Sequence, residues 1–171
     1  AFHEYGHHID ASITGWNNVH ASAFQGPDPV RRAIRKAHLA VHDALNASPT
    51  TERVKKAARD GFSVVTNAAG KKRKVKVDEA FSKYLAEERE VFARAYAQYI
   101  ANRGTHANPK MRAAINRSMS KEQTSEYPQQ WEAGEFAGIA DKFDKLFEAM
   151  GTRRGKAGAK EFVGAKEITP Q

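Results

Sequence analysis

The segment His3-Glu4-Tyr5-Gly6-His7 constrains this chain more than any other. It is an HExxH pattern. On an α-helix, residues i and i+4 share a face, so this spacing sets two imidazoles side by side where both can grip one Zn²⁺. Glu4 stands next to the first of them, where it can take a proton from a metal-bound water. The motif reads as part of a helix from Ala1 to about Ser12, with Phe2, Gly6, Ile9 and Ile13 recurring at helical spacing along its core face. Gly6, between the two histidines, lets another backbone come close. Asp10 lies one further turn along the same face, where a carboxylate can orient an imidazole through its second nitrogen. The chemistry implied is metal-assisted hydrolysis, of a peptide bond in first place; the plain alternative is a surface helix that carries two histidines.

Two histidines do not complete a catalytic zinc site, which takes a third protein ligand and leaves the fourth position to water. The extended pattern HExxHxxGxxH is absent, because Ile13 stands where its third histidine would fall. With no cysteine in the chain, thiolate ligands and disulfides are excluded. A carboxylate from a later helix is the other solution. Glu90 is the first choice, since small Ala93 lies one turn on, where that helix could pack closely; Glu87 and Glu88 are its rivals.

The rest of the chain reads as mainly α, with a small β-hairpin, an α+β domain over residues 1–150 and a basic flexible tail over 151–171. Pro29 opens a helix that ends near Asn46, and Thr50 to Asp60 forms a short one stopped by Gly61. Phe62–Thr66 and Val75–Val77 form the hairpin, bent at Asn67–Gly70. Asp78 caps a helix from Glu79 to about Leu85. A second runs from Glu87 to about Asn102, with Val91, Phe92, Ala95, Tyr96 and Tyr99 on its stripe, and Gly104 ends it. Lys110–Met119 is a further helical piece. A long amphipathic helix then follows Tyr127-Pro128, carrying Trp131, Phe136, Ile139, Phe143, Leu146 and Phe147 and closing at Gly151. The chain begins inside the motif helix without an initiator Met, so it is read as N-terminally truncated, with the sheet under that helix lying upstream.

A resemblance joins these pieces. His3-Glu4-Tyr5-Gly6-His7-His8-Ile9-Asp10, followed by Glu90-x-Phe92-Ala93-x-Ala95-Tyr96, resembles the gluzincin class of zinc peptidases. Within it, the likeness is to the branch that contains the anthrax lethal factor catalytic domain and related phage- and plasmid-borne domains. Tyr127-Pro128, Gly134-Glu135-Phe136-x-x-Ile139 and Phe143-Asp144-x-Leu146-Phe147 resemble the C-terminal helix of zincin-like domains in polyvalent phage proteins and in those fused to Mu F-like head-morphogenesis proteins. The likeness runs from residue 1 to about 150, with no matching motif between about 16 and 80. It implies that His3, His7 and Glu90 bind zinc, that Glu4 is the general base, and that Tyr84 stabilises the tetrahedral oxyanion. It also implies a peptide or protein substrate and a cytoplasmic or virion-associated setting.

Two other classes compete. One is a zincin-like module of a phage protein that binds or scaffolds without catalysis. The other follows from a net charge of +8, concentrated at Arg31-Arg32-x-x-Arg35-Lys36, Lys71–Lys74 and Arg153-Arg154-x-Lys156, which are candidates for weak nucleic-acid contact. No aromatic residue interleaves with the Lys71–Lys74 run, so no base-stacking platform is in view. No apolar stretch approaches the roughly 18 residues that span a bilayer, so no membrane partner is expected.

Overall fold

Local sequence signals account for most of the elements. The computed structural model describes residues 2–14, 29–66, 69–103, 110, 113, 117, 130–154 and 160–162. Helix α1 spans Phe2–Thr14 and α2 spans Pro29–Asn46, each where the apolar spacing put it. Helix α3, Pro49–Asp60, is capped at both ends. Ser48 Oγ accepts from the Thr51 N–H at 3.3 Å, and Gly61, in the left-handed region at φ 73°, donates its N–H to the Ala57 carbonyl at 2.9 Å. Asp78 does the same work for α4, Glu79–Ala86, accepting from the Phe81 N–H at 2.7 Å. Glu87 then breaks the helix, and α5 runs over Glu88–Arg103.

Strands β1, Phe62–Thr66, and β2, Lys72–Lys76, form the expected antiparallel hairpin, but β2 starts earlier than Val75. Its register pairs Phe62 with Lys76 and Thr66 with Lys72. A full-length partner for β1 therefore has to include the basic run, whose side chains at Lys72, Arg73, Lys74 and Lys76 face solvent. Alternation of apolar and polar residues could not show this, because only one residue of β2, Val75, is apolar. Helix α6 spans Ala133–Ala149. Within the stretch read as a tail, β3, Thr152–Arg154, pairs antiparallel with β4, Lys160–Phe162. Of the expected helix over Lys110–Met119, residues 110, 113 and 117 are described, all helical. Gly104 and Tyr127-Pro128 lie outside the described residues, but the last helix begins only at Ala133, so Trp131, expected within it, lies just before its N-cap Glu132.

Helix α5 is the centre of the packing. The stripe of Val91, Phe92, Ala95, Tyr96 and Tyr99 is buried as its spacing predicts, but so are Glu90, Ala93, Arg94, Gln98 and Ala101 on its other sides. A helix enclosed on most faces has no single apolar stripe. Its polar side chains are correspondingly bonded. Gln98 pairs its amide with the Trp131 backbone, Nε2 to the carbonyl at 2.7 Å and Oε1 to the N–H at 3.1 Å. Arg94 donates to the Leu85 carbonyl at 2.9 Å. Val41 and Leu45 of α2 join Ile139, Phe143, Leu146 and Phe147 of α6 in one core with the α5 aromatics. Polar pins hold the margin. Trp131 Nε1 donates to Ser48 Oγ at 2.9 Å, and Glu135 accepts from the Thr50 N–H and hydroxyl at 2.8 and 2.7 Å.

Helix α1 crosses α5 at a close approach that a glycine permits. A Cβ built on Gly6 would lie 2.7 Å from Ala93 Cα, closer than real Cβ contacts come, and 3.1 Å from Ala93 O, tighter than most. Gly6→Ala should therefore destabilise the chain. Relief of glycine's helix penalty offers about 1 kcal/mol, whereas forcing two packed backbones apart costs typically about 1–3 kcal/mol. The expected outcome is a lower melting temperature, read by circular dichroism. An unchanged or higher value would show that α1 does not seat on Ala93 in this way.

Candidate metal centre

The tight α1–α5 contact sets one face of α1 against Glu90. His3 and His7 flank Gly6 on α1, and Glu90 lies one turn before Ala93 on α5. His3 Nε2 stands 3.0 Å from Glu90 Oε2, and His7 Nε2 stands 2.9 Å from Glu90 Oε1, so each imidazole meets a different carboxylate oxygen. The two rings sit edge to face with centroids 4.6 Å apart, which the i, i+4 spacing sets. Glu90 is almost fully buried, with a side chain 4% exposed, while the histidines keep 30% and 26% of theirs open. A buried carboxylate has only acceptors, so without a metal the imidazole N–H groups satisfy it. The three donor atoms lie within 4.8 Å of one another, and two imidazoles with one carboxylate is a donor set suited to a borderline divalent ion such as zinc.

Two further residues singled out in the sequence lie at this cluster. Glu4 is on the exposed side, with its side chain 79% open and Oε1 3.5 Å from His3 Nδ1. The Tyr84 hydroxyl hydrogen-bonds Glu90, and that bond, helped by burial and by the negative charges of Glu90 and Glu4, pushes its pKa up to about 12. Tyr84 reaches the site from α4, across the short break at Glu87. The rival carboxylates stay outside: Glu87 is exposed and pairs with Arg89 at 2.7 Å, and Glu88 is exposed at the first turn of α5.

Asp10, the third acidic or imidazole group along this face of α1, has partners that the motif did not foretell. Its Oδ1 lies 2.6 Å from His38 Nε2 and 3.0 Å from His42 Nε2, both on α2. Burial alone would raise the Asp10 pKa, but the bonds to His38 and His42 and their charges outweigh it and hold it down at about 2. His38 and His42 escaped the sequence reading, although their i, i+4 spacing repeats that of His3 and His7 and was the signal to find them.

No family model, curated protein or solved structure matches the chain. Two of the three basic clusters have described side chains, and they differ. Arg35 is buried and donates to the Ile13 carbonyl at the end of α1 at 3.2 Å, a structural role. The Lys72–Lys74 run is exposed on β2, with Lys74 Nζ 4.4 Å from the centroid of the Phe62 ring. Among the described residues, no helix is long and apolar enough to cross a membrane.

The depressed pKa of Asp10 has a signed consequence for the metal-free chain. Folding favours its ionised form, so its contribution is complete above the unfolded pKa near 3.8 and is lost as pH falls through about 2. The size is on the order of 2 kcal/mol. Wild type should exceed Asp10→Asn in stability to urea at pH 5, and the gap should close between pH 4 and pH 2. A gap that stays constant across that range would show that the charge on Asp10 does not matter to folding.

Proposed function

We propose that this chain is a zinc-dependent peptidase of the gluzincin type, with His3, His7 and Glu90 as metal ligands, Glu4 as general base and Tyr84 as oxyanion donor. The observation that carries the reading is the convergence of His3 Nε2 and His7 Nε2 on the two oxygens of the buried Glu90 carboxylate, at 3.0 and 2.9 Å. Three protein ligands of this kind leave one position free, as a catalytic zinc site requires, and the half-open histidines leave that position within reach of solvent. When bound, zinc supplies Lewis-acid chemistry, polarising a carbonyl and lowering the pKa of a coordinated water to about 7.

The chain's own side chains have the properties that the remaining steps require. Glu4 is open to solvent beside His3, so its carboxylate can accept the proton of the attacking water and hand it to the leaving amine. Tyr84, with a pKa of about 12, stays protonated at neutral pH and can donate to the carbonyl oxygen as negative charge builds there. Glu90, held by His3 and His7 of α1 and by Tyr84 of α4, ties the two imidazoles and the donor to one rigid point on α5. The likeness of the Tyr127–Phe147 segment to phage polyvalent and Mu F-associated domains supports a setting in a phage or mobile-element protein, cytoplasmic or virion-associated.

The test is hydrolysis of a peptide library by the zinc-loaded chain. Glu4→Gln should keep its metal and lose turnover by about 10²–10⁴-fold, the usual contribution of a positioned general base. Tyr84→Phe should lower kcat by about 10²-fold with little change in KM, because the donor acts mainly in the transition state. Full activity in Glu4→Gln would refute the assignment. Metal bound without cleavage of any peptide by the wild type would leave a non-catalytic zincin-like module.

A further inference from the structure

The Asp10–His38–His42 cluster repeats the main features of the first site, although here both imidazoles meet the same carboxylate oxygen. A pair of histidines at i, i+4 on one helix turns both Nε2 atoms toward a single carboxylate on another helix. The ring centroids of His38 and His42 are 4.6 Å apart, the same separation as His3 and His7. The three donor atoms again lie within 4.8 Å of one another. The difference is enclosure. The side chain of His38 is 1% exposed, that of Asp10 14% and that of His42 17%. Both imidazoles also pack on Phe92, at 5.3 and 5.2 Å between centroids, His42 nearly parallel to it.

We propose that Asp10, His38 and His42 form a second binding site for a borderline divalent transition-metal ion such as Zn²⁺, one that fastens α1 to α2. Hydrogen bonding alone explains the geometry less completely. Both imidazoles spend their donor on the same oxygen, Oδ1. A cation seated among the three atoms would instead use both Nε2 lone pairs and the carboxylate charge together. The surroundings suit a structural ion. Rigid aromatic packing fixes both rings, and the site bridges two helices of which one carries His3 and His7. A metal here would hold the α1 helix in place without taking part in the reaction, and the inference stands independently of the peptidase reading.

Metal content of the tag-free chain, loaded with Zn²⁺, gel-filtered and measured by mass spectrometry, tests this directly. Wild type should carry two zinc ions per chain, Glu90→Gln one, His42→Ala one and the double variant none. Asp10→Asn, which keeps the shape of the side chain, should also carry one, and it serves if His42→Ala fails to fold. In the Glu90→Gln background, zinc should still raise the melting temperature, and adding Asp10→Asn should abolish that rise. A wild type that binds one ion, lost in Glu90→Gln and kept in Asp10→Asn, would overturn the second site and leave the first. Two ions in wild type, falling to one in Asp10→Asn but unchanged in Glu90→Gln, would uphold the second site and overturn the first.

Discussion

The contact between Gly6 and Ala93 is the constraint on which the site depends. Helices with ordinary side chains at their crossing keep axes about 8–10 Å apart. Here a missing side chain on α1 and a methyl on α5 let the two backbones meet, with no room for even one more carbon at Gly6. Everything that follows is helical arithmetic. His3 and His7 lie to either side of Gly6, Glu90 lies a turn before Ala93, and closure of the contact carries the imidazoles to the carboxylate. Residues larger than these two would separate the helices and the three donor atoms with them.

That closeness needs a rigid partner, and α5 supplies it by being enclosed. The helix is surrounded by aromatic packing, with Phe92, Tyr96 and Tyr99 stacked or tilted against Phe143 and Phe147 of α6. Tyr99 and Arg103 both donate to the Asp144 carboxylate of α6, at 2.8 and 2.6 Å. A carboxylate at Glu90 is tolerated in such an interior because it is fully engaged by imidazole and phenol donors. One face of α1, bearing His3, His7 and Asp10, thus binds two different helices through polar clusters, and Ile9 and Ile13 add an apolar seat on the core.

Much of this arrangement was legible in the sequence, for identifiable reasons. HExxH spacing, a glycine between the histidines and a small residue one turn after Glu90 are local features whose meaning does not depend on the rest of the chain. The caps at Asp78 and Gly61 are of the same kind. What escaped was tertiary. Asp10 looked like a partner for a neighbouring imidazole, and only the packing of α2 against α1 brings His38 and His42 to it. The early start of β2 depends on backbone pairing with β1 and leaves no trace in a run of basic residues. The burial of α5 on most sides likewise comes from what surrounds it, and the apolar stripe alone does not announce that Arg94 and Gln98 are buried too.

The most direct measurement is anomalous diffraction at the zinc absorption edge from crystals of the zinc-loaded chain. An anomalous peak about 2.0–2.2 Å from His3 Nε2, His7 Nε2 and a Glu90 carboxylate oxygen is the predicted result. Zinc-loaded crystals with no peak between those three residues, and Glu90 still bonded directly to both imidazoles, would contradict it.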